Sequence, residues 1–208
     1  MTERREDAHT RTTRSLHGLA ELVLAGPRYR QGGSIELRVQ DGGFRTRDEP
    51  AVAVNGTSLV TPERRVDLDG LTFAQAAARI GLEASRLDDV YSDGPGVEPD
   101  EPIRLDPDAA RLVEQALALG DQALRSFHPA ATPILWPEHF DVATVAGEVN
   151  YGVSPGDRYL DEPYAYIGPW TPREGAFWNA PFGAARPMRD RPDADALVAF
   201  FTEGRTRA

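Results

Sequence analysis

The sequence predicts an α+β fold, in which a mainly antiparallel sheet of hairpins packs against a long helix. Short apolar segments are joined by tight turns, and Asn55-Gly56 is the strongest hairpin signal. Residues 106–127 show one apolar stripe at helical spacing, with Asp106 as the expected N-cap and Pro107 in the first turn. Strands and helices do not alternate along the chain, which favours α+β over a parallel α/β sheet. No internal repeat is visible in the sequence.

The chain length predicts one domain. With 208 residues, the chain is long enough to bury a substantial core. We expect residues 1–11 to form a disordered tail, because they are charged and have no apolar pattern. Residues 12–208 then form a single α+β domain, in which 12–91 and 106–208 are possible subdomains.

The composition excludes several classes of function. The formal net charge is -10, which disfavours nucleic acid and anionic membrane surfaces as partners. Cysteine is absent, which excludes disulfides, thiolate metal ligands and a cysteine nucleophile. All 23 basic residues are arginine, which excludes Schiff-base chemistry. The sequence shows neither a signal peptide nor a long apolar segment, so a cytoplasmic location is expected.

The remaining elements follow from apolar periodicity and turn residues. We expect helices over 12–25, stopped by Gly26-Pro27, over 73–80, capped by Thr72, and over 193–201. The strands predicted in the first half cover 35–39, 44–47, 51–54, 57–61 and 66–68. Residues 92–107 and 171–187 are expected to be loops. The predicted buried stripe of the long helix is Leu112, Ala116, Leu119, Ala123 and Phe127.

Residues 136–170 concentrate aromatic and polar side chains, and their first half has the pattern of a hairpin. Strands over 134–145 and 148–153 with Ala146-Gly147 as the turn would place alternate residues on opposite faces. The expected core face carries Phe140, Val142, Thr144, Val149, Tyr151 and Val153. The other face carries His139, Asp141, Ala143, Val145, Glu148, Asn150 and Ser154.

A third strand is predicted at residues 164–167, between Pro163 and Gly168-Pro169. Ala165 and Ile167 would face the core. The side chains of opposite parity are Tyr164, Tyr166 and Trp170, which would lie beside the polar hairpin face if this strand joins the same sheet.

The segments LWPEHFD, VNYGVSPGD and EPYAY resemble a domain of unknown function from high-GC bacteria. The resemblance covers about residues 134–170 and the motif order is fairly specific. The matching positions are Trp136, His139, Phe140, Asp141, Asn150, Gly152, Pro155, Gly156, Asp157, Glu162, Pro163, Tyr164 and Tyr166. The resemblance indicates a family but implies no activity.

These patterns predict a soluble protein that binds a small polar ligand, with no cofactor and no metal. The candidate ligand-binding residues are His139, Asp141, Glu148, Asn150, Tyr164, Tyr166 and Trp170. No phosphate loop, dinucleotide fingerprint or nucleophile elbow is present. Three alternatives stay open: an enzyme with His139 and Asp141 or Glu148 as acid–base groups, a protein-interaction domain, and a solvated sheet face without a site. The sequence does not indicate the oligomeric state.

Overall fold

The computed structural model describes residues 7–190 and 192–208, and in them it has the predicted α+β fold. The helical elements are α1 (Ala8–Gly18), a π-helical segment (Leu19–Ala25), α2 (Gly26–Arg30), α3 (Phe73–Arg79), α4 (Pro107–Phe127) and α5 (Ala194–Arg207). The strands are β1 (Leu37–Gln40), β2 (Gly43–Thr46), β3 (Ala53–Asn55), β4 (Ser58–Val60), β5 (Arg65–Asp67), β6 (Ile134–Trp136), β7 (Asp141–Val145), β8 (Val149–Ser154), β9 (Tyr164–Pro169) and β10 (Ala184–Pro187). They form one ten-stranded antiparallel sheet.

Two five-stranded meanders make up this sheet, whose strand order is β10-β9-β8-β7-β6-β1-β2-β3-β4-β5. They meet where β1 pairs with β6, at Leu37 and Leu135. A helix precedes β1 and β6, and a helix follows β5 and β10, so the chain passes through the same order of elements twice. This repeated topology has no visible counterpart in the sequence, because many different apolar sequences can fill cores of similar shape.

The N-terminal helix starts earlier than expected. It begins at Ala8, where the Asp7 carboxylate accepts a hydrogen bond of 2.8 Å from the backbone amide of Thr10. The predicted start at Thr12 is therefore wrong, and the last part of the expected tail is helical. Residues 1–6 of that tail lie outside the described residues.

The helix also continues through Gly26-Pro27, where the sequence predicted its end. Residues 19–25 form the π-helical segment, and every residue in it is buried. The Leu22 carbonyl accepts a hydrogen bond of 2.9 Å from the backbone amide of Ser85, which replaces the N–H that proline lacks. A Cβ at position 26 would lie 1.8 Å from the Ser85 carbonyl oxygen, so glycine is required for this contact.

Helix α4 packs closely on β7 and β8 because it presents small residues to them. A Cβ at Gly120 would lie 2.7 Å from the side chain of Val153 and 2.8 Å from that of Val142. The buried face of α4 is rotated about the helix axis relative to the predicted stripe, since Leu112 is 45% exposed. The buried residues of α4 are Ala109, Ala110, Val113, Ala116, Leu117, Gly120, Ala123, Leu124 and Phe127.

The predicted strand over residues 134–145 is in fact two strands. Trp136 of β6 pairs with Asp141 of β7, across a turn that starts at Pro137 and ends at Phe140. Proline cannot donate to a strand ladder, and Phe140 has a φ of 52°, which reverses the chain. The Phe140 side chain is only 1% exposed, so its burial offsets the cost of this backbone conformation.

The turn between β7 and β8 lies one residue later than the predicted Ala146-Gly147. Val145 pairs with Asn150, and Gly147 and Glu148 occupy the turn with φ values of 60° and 62°. Two successive positive φ values are typical of a type I′ hairpin turn. The predicted and observed registers both pair even-numbered with odd-numbered residues, so the predicted separation of the strand faces is confirmed. The buried core-face residues are Val142, Thr144, Val149, Tyr151 and Val153.

The third predicted strand is confirmed as β9, which pairs with β8 and buries Ala165 and Ile167 completely. Strand β10 lies within the expected loop over 171–187, where short length and flanking prolines hide its pattern. Helix α5 is also longer than the predicted 193–201 and ends at Arg207.

Replacing Glu148 by glycine should stabilise the protein. A φ of 62° costs a residue with a Cβ about 1–2 kcal/mol, and glycine adopts it freely. We expect the free energy of unfolding in urea to rise by about 0.5–1 kcal/mol, after the entropy that glycine adds to the unfolded chain. Glu83→Gly, at another exposed glutamate, is the control and should not stabilise. A less stable Glu148→Gly protein would contradict the type I′ turn.

Candidate functional site

A cavity of about 920 Å³ lies against the face of β7, β8 and β9 that points away from α4. Helix α1 and the segments 92–95 and 156–161 form its other walls. The alternation of the strands decides what this face presents, because the apolar residues of opposite parity are buried in the core. The cavity wall therefore receives the polar and aromatic side chains of the hairpin and of β9.

Asp141 is the buried carboxyl group of this face. It is 4% exposed, and the Tyr166 hydroxyl donates a hydrogen bond to its Oδ2. Among the described residues, its Oδ1 has no hydrogen-bond partner. Burial raises the pKa of Asp141 to about 6, against the opposing effect of the Tyr166 hydrogen bond. This carboxyl group therefore titrates much closer to neutral pH than an ordinary aspartate.

Gly152 gives Tyr166 the space to reach Asp141. The two residues are opposite each other in the β8–β9 ladder, and a Cβ at Gly152 would lie 2.5 Å from the Tyr166 ring. Burial and the negative charge of Asp141 raise the pKa of Tyr166 well above its usual value. Tyr166 therefore keeps its proton and donates a hydrogen bond to the carboxylate.

A second tyrosine–aspartate pair lies along the same strand, within an aromatic cluster. The Tyr164 hydroxyl donates to Asp157 Oδ2 at 2.6 Å. The ring centroids are 4.9 Å apart for Tyr159 and Phe182, 5.7 Å for Tyr159 and Tyr164, and 6.1 Å for Tyr166 and Phe182. These four rings form one aromatic wall of the cavity.

Helix α1 contributes polar atoms from the opposite side. His9 Nε2 lies 2.8 Å from the carbonyl oxygen of Pro155, and a carbonyl can only accept, so Nε2 carries the proton. His9 Nδ1 and Thr13 Oγ1 are both buried without a hydrogen-bond partner in the described ranges. Both residues line the cavity, so α1 holds buried, unpaired polar atoms close to its wall.

His17, on the next turns of α1, is held as a neutral ring. It stacks on Phe140 with centroids 5.5 Å apart and an interplanar angle of 12°. Its Nε2 donates to the Pro137 carbonyl oxygen at 2.7 Å. Burial lowers the pKa of His17 from 6.5 to about 4, although the hydrogen bond to Pro137 opposes this, and the nearby His139 lowers it further.

The structure brings together all the predicted ligand-binding residues except Glu148. The residues that line the cavity are His139, Asp141, Asn150, Tyr164, Tyr166 and Trp170. Glu148 lies in the exposed turn between β7 and β8 and does not line the cavity, although its backbone carbonyl accepts a hydrogen bond of 3.0 Å from the backbone amide of Trp170. That these residues bind a ligand stays a prediction.

His139 and Trp170 occupy the rim of the cavity. His139 lies in the turn before β7 instead of on a strand, its side chain is 57% exposed, and its Nε2 is 3.8 Å from a carboxylate oxygen of Glu138. Trp170 is 62% exposed and its indole N–H donates to Asn150 Oδ1 at 3.4 Å. Both side chains can therefore contact solvent and a bound molecule.

The sequence interpretation missed the residues of α1. His9 was placed in the expected tail, and His17 fell within the predicted first helix but was not among the candidate residues. A signal was nevertheless present, because His9, Thr13 and His17 are spaced four residues apart and share one face of a helix. Such a polar stripe beside an apolar one indicates a second contact surface on the same helix.

The described residues contain no group of three or more His, Asp or Glu side chains placed to hold a metal ion. No helix in the same residues is long and apolar enough to cross a membrane. The absence of a metal and of a cofactor from the working protein stays a prediction.

Acidification should destabilise the protein through His17. Below pH 6.5 the unfolded chain protonates this histidine, whereas the folded protein does so only near pH 4. The lowered pKa of His17 therefore costs nothing at neutral pH. As the pH falls from about 6.5 to 4, it lowers the free energy of unfolding by roughly 3 kcal/mol. Urea unfolding of wild type and His17→Gln at several pH values isolates this contribution as their difference.

The matched control is His128→Gln, which removes a histidine outside the cavity lining. The difference in unfolding free energy between His128→Gln and wild type should change less with pH than the difference between His17→Gln and wild type. A His17→Gln difference that is constant between pH 7 and about 4 would contradict the lowered pKa.

The chain shows no similarity that assigns it to a family. Its sequence matches no protein-family model and no curated protein, and its structure matches no solved structure. The resemblance of residues 134–170 to a bacterial domain of unknown function therefore stays a prediction. The side chains around the cavity are the basis for inferring what the protein does.

Proposed function

We propose that this protein binds a small polar ligand in the cavity between α1 and strands β7 to β9. One observation carries the proposal. The buried side-chain atoms without a hydrogen-bond partner in the described residues are His9 Nδ1, Thr13 Oγ1, Asp141 Oδ1 and Tyr151 Oη. All but the last belong to residues that line this cavity. A buried polar atom left unpaired costs about 1–3 kcal/mol, so a ligand whose polar groups reach several of them after small side-chain movements recovers that free energy.

The shape and lining of the cavity support the same proposal. A volume of about 920 Å³ is within the range of small-molecule sites, which run to about 1,000 Å³. Such sites combine apolar and aromatic walls with a few polar groups that orient the ligand. Here Tyr159 and Phe182 contribute aromatic surface, and Asp141 is a deeply buried polar group.

An acid–base enzyme is the second candidate, and the raised pKa of Asp141 favours it. A carboxyl group with a pKa of about 6 is suited to exchange a proton at neutral pH. His139 lies at the rim of the same cavity, whereas Glu148 lies outside the cavity lining. Recovery of every bound ligand unchanged after prolonged incubation with the wild-type protein would count against this candidate.

Filling the cavity should abolish ligand binding without unfolding the protein. Gly168 lines the cavity, and a Cβ there would have its nearest neighbours at 3.6 and 3.8 Å, which are ordinary contact distances. Gly168→Leu should therefore fold and occupy space that a ligand needs. Ligand-observed NMR with a set of cationic, neutral and anionic compounds should detect binding to wild type and none to this variant.

Ala118→Leu is the matched control, because it adds the same side chain on the exposed surface of α4. It should bind every compound that wild type binds, and all three proteins should melt within a few degrees of one another. If no compound binds wild type, or if Gly168→Leu binds them equally well, the cavity is not a ligand site.

A further inference from the structure

Two of the three unpaired polar atoms beside the cavity, His9 Nδ1 and Asp141 Oδ1, are acceptors, whereas the Thr13 hydroxyl can donate or accept. The hydroxyl protons of Tyr166 and Tyr164 are directed at Asp141 and Asp157. In the neutral His9 ring, the proton on Nε2 is directed at a backbone carbonyl, which leaves Nδ1 as an acceptor. Asp141 Oδ1 is likewise an acceptor. A ligand that pairs with these atoms has to supply the donors.

The charge around the cavity favours a positive ligand. Its lining contains the carboxylates of Asp93, Asp141, Asp157 and Asp161 and the guanidinium groups of Arg14 and Arg158. Arg14 is already neutralised by Glu101, whose carboxylate it meets at 2.8 Å. The remaining balance is negative, in a chain whose formal net charge is -10.

The aromatic wall adds a further attraction for a cation. The rings of Tyr164, Tyr166 and Phe182 lie within 6.4 Å of one another, on the same side of the cavity as Asp141. Aromatic faces attract organic cations through the ring quadrupole, more strongly where water is excluded. The same rings can also pack against the apolar part of a ligand.

We propose that the ligand is an organic cation whose ammonium or amidinium group donates hydrogen bonds to Asp141 and whose apolar part packs on the aromatic wall. This inference rests on the proposed ligand-binding function and names the chemical class of that ligand. A buried carboxylate with one oxygen held by Tyr166 and the other free is a suitable partner for such a group. An anionic ligand would instead pair with the exposed Arg158.

Three probes of one shape test the charge directly: benzamidine, benzamide and benzoate. At about pH 8 the Asp141 carboxyl is ionised, and calorimetric titration of wild type should show benzamidine binding about tenfold or more tightly than benzamide. Benzoate should bind more weakly still. This comparison needs no variant, so it stands even if a substitution impairs folding.

Asp141→Asn keeps the shape and an acceptor for the Tyr166 hydroxyl but removes the charge. It should weaken benzamidine binding about 10- to 100-fold and reduce benzamide binding much less. Glu148→Gln removes a carboxylate from the turn of the same hairpin, outside the cavity lining, and should leave both affinities unchanged. Gly168→Leu should abolish binding of both probes.

Failure of this inference is distinguishable from failure of the proposed function. If benzamide or benzoate binds at least as well as benzamidine and Gly168→Leu blocks it, the cavity is a ligand site but not one for cations. Equal benzamidine affinity in wild type and Asp141→Asn would also overturn the inference. If neither these probes nor the compound set binds wild type, the proposed function itself fails.

Discussion

The close contact between α4 and strands β7 and β8 determines what each face of the C-terminal meander does. Because Gly120 has no side chain, the helix backbone approaches Val142 and Val153 directly. Alternate residues of these strands are thereby buried, and those between them must point the other way. Asp141 of β7 reaches the cavity for this reason, and Tyr166 of β9 does so because it pairs with Gly152 of β8. A shift of one residue in the pairing would direct the buried carboxyl at the helix, which makes such a register very unfavourable.

The unpaired polar atoms beside the cavity make an unfavourable contribution to the stability of the folded protein. Burial keeps Asp141 away from the water that would solvate its charge, and Tyr166 restores only part of that solvation. His9 and Thr13 add buried polar atoms without partners in the described chain. A ligand that binds only the folded state returns stability by mass action. Under the proposed function, ligand binding and maximal stability therefore make opposite demands on the same residues.

The sequence predicted the faces of the strands better than it predicted their turns. The burial of Val142 and Tyr151 on one side of the sheet follows from side-chain alternation alone, and the structure confirms it. The turn positions depend on the backbone conformation of single residues, Glu148 and Phe140, which have no side-chain pattern that reveals a positive φ. The role of α1 was missed for another reason. Its polar face was visible, but the element which that face meets is set by contacts far apart in the sequence.

The double meander has a consequence for the order in which the chain folds. Within the described residues, every neighbouring strand pair joins consecutive strands, except β1 with β6. Hairpins close short loops at little entropic cost, whereas β1 and β6 can pair only after a loop that contains β2 to β5, α3 and α4 has closed. Joining the meanders should therefore follow the formation of each one. Since the cavity combines α1 from before the first meander with β7 to β9 from the second, partly folded chains lack it. The proposed ligand therefore cannot assist folding until the two halves have met.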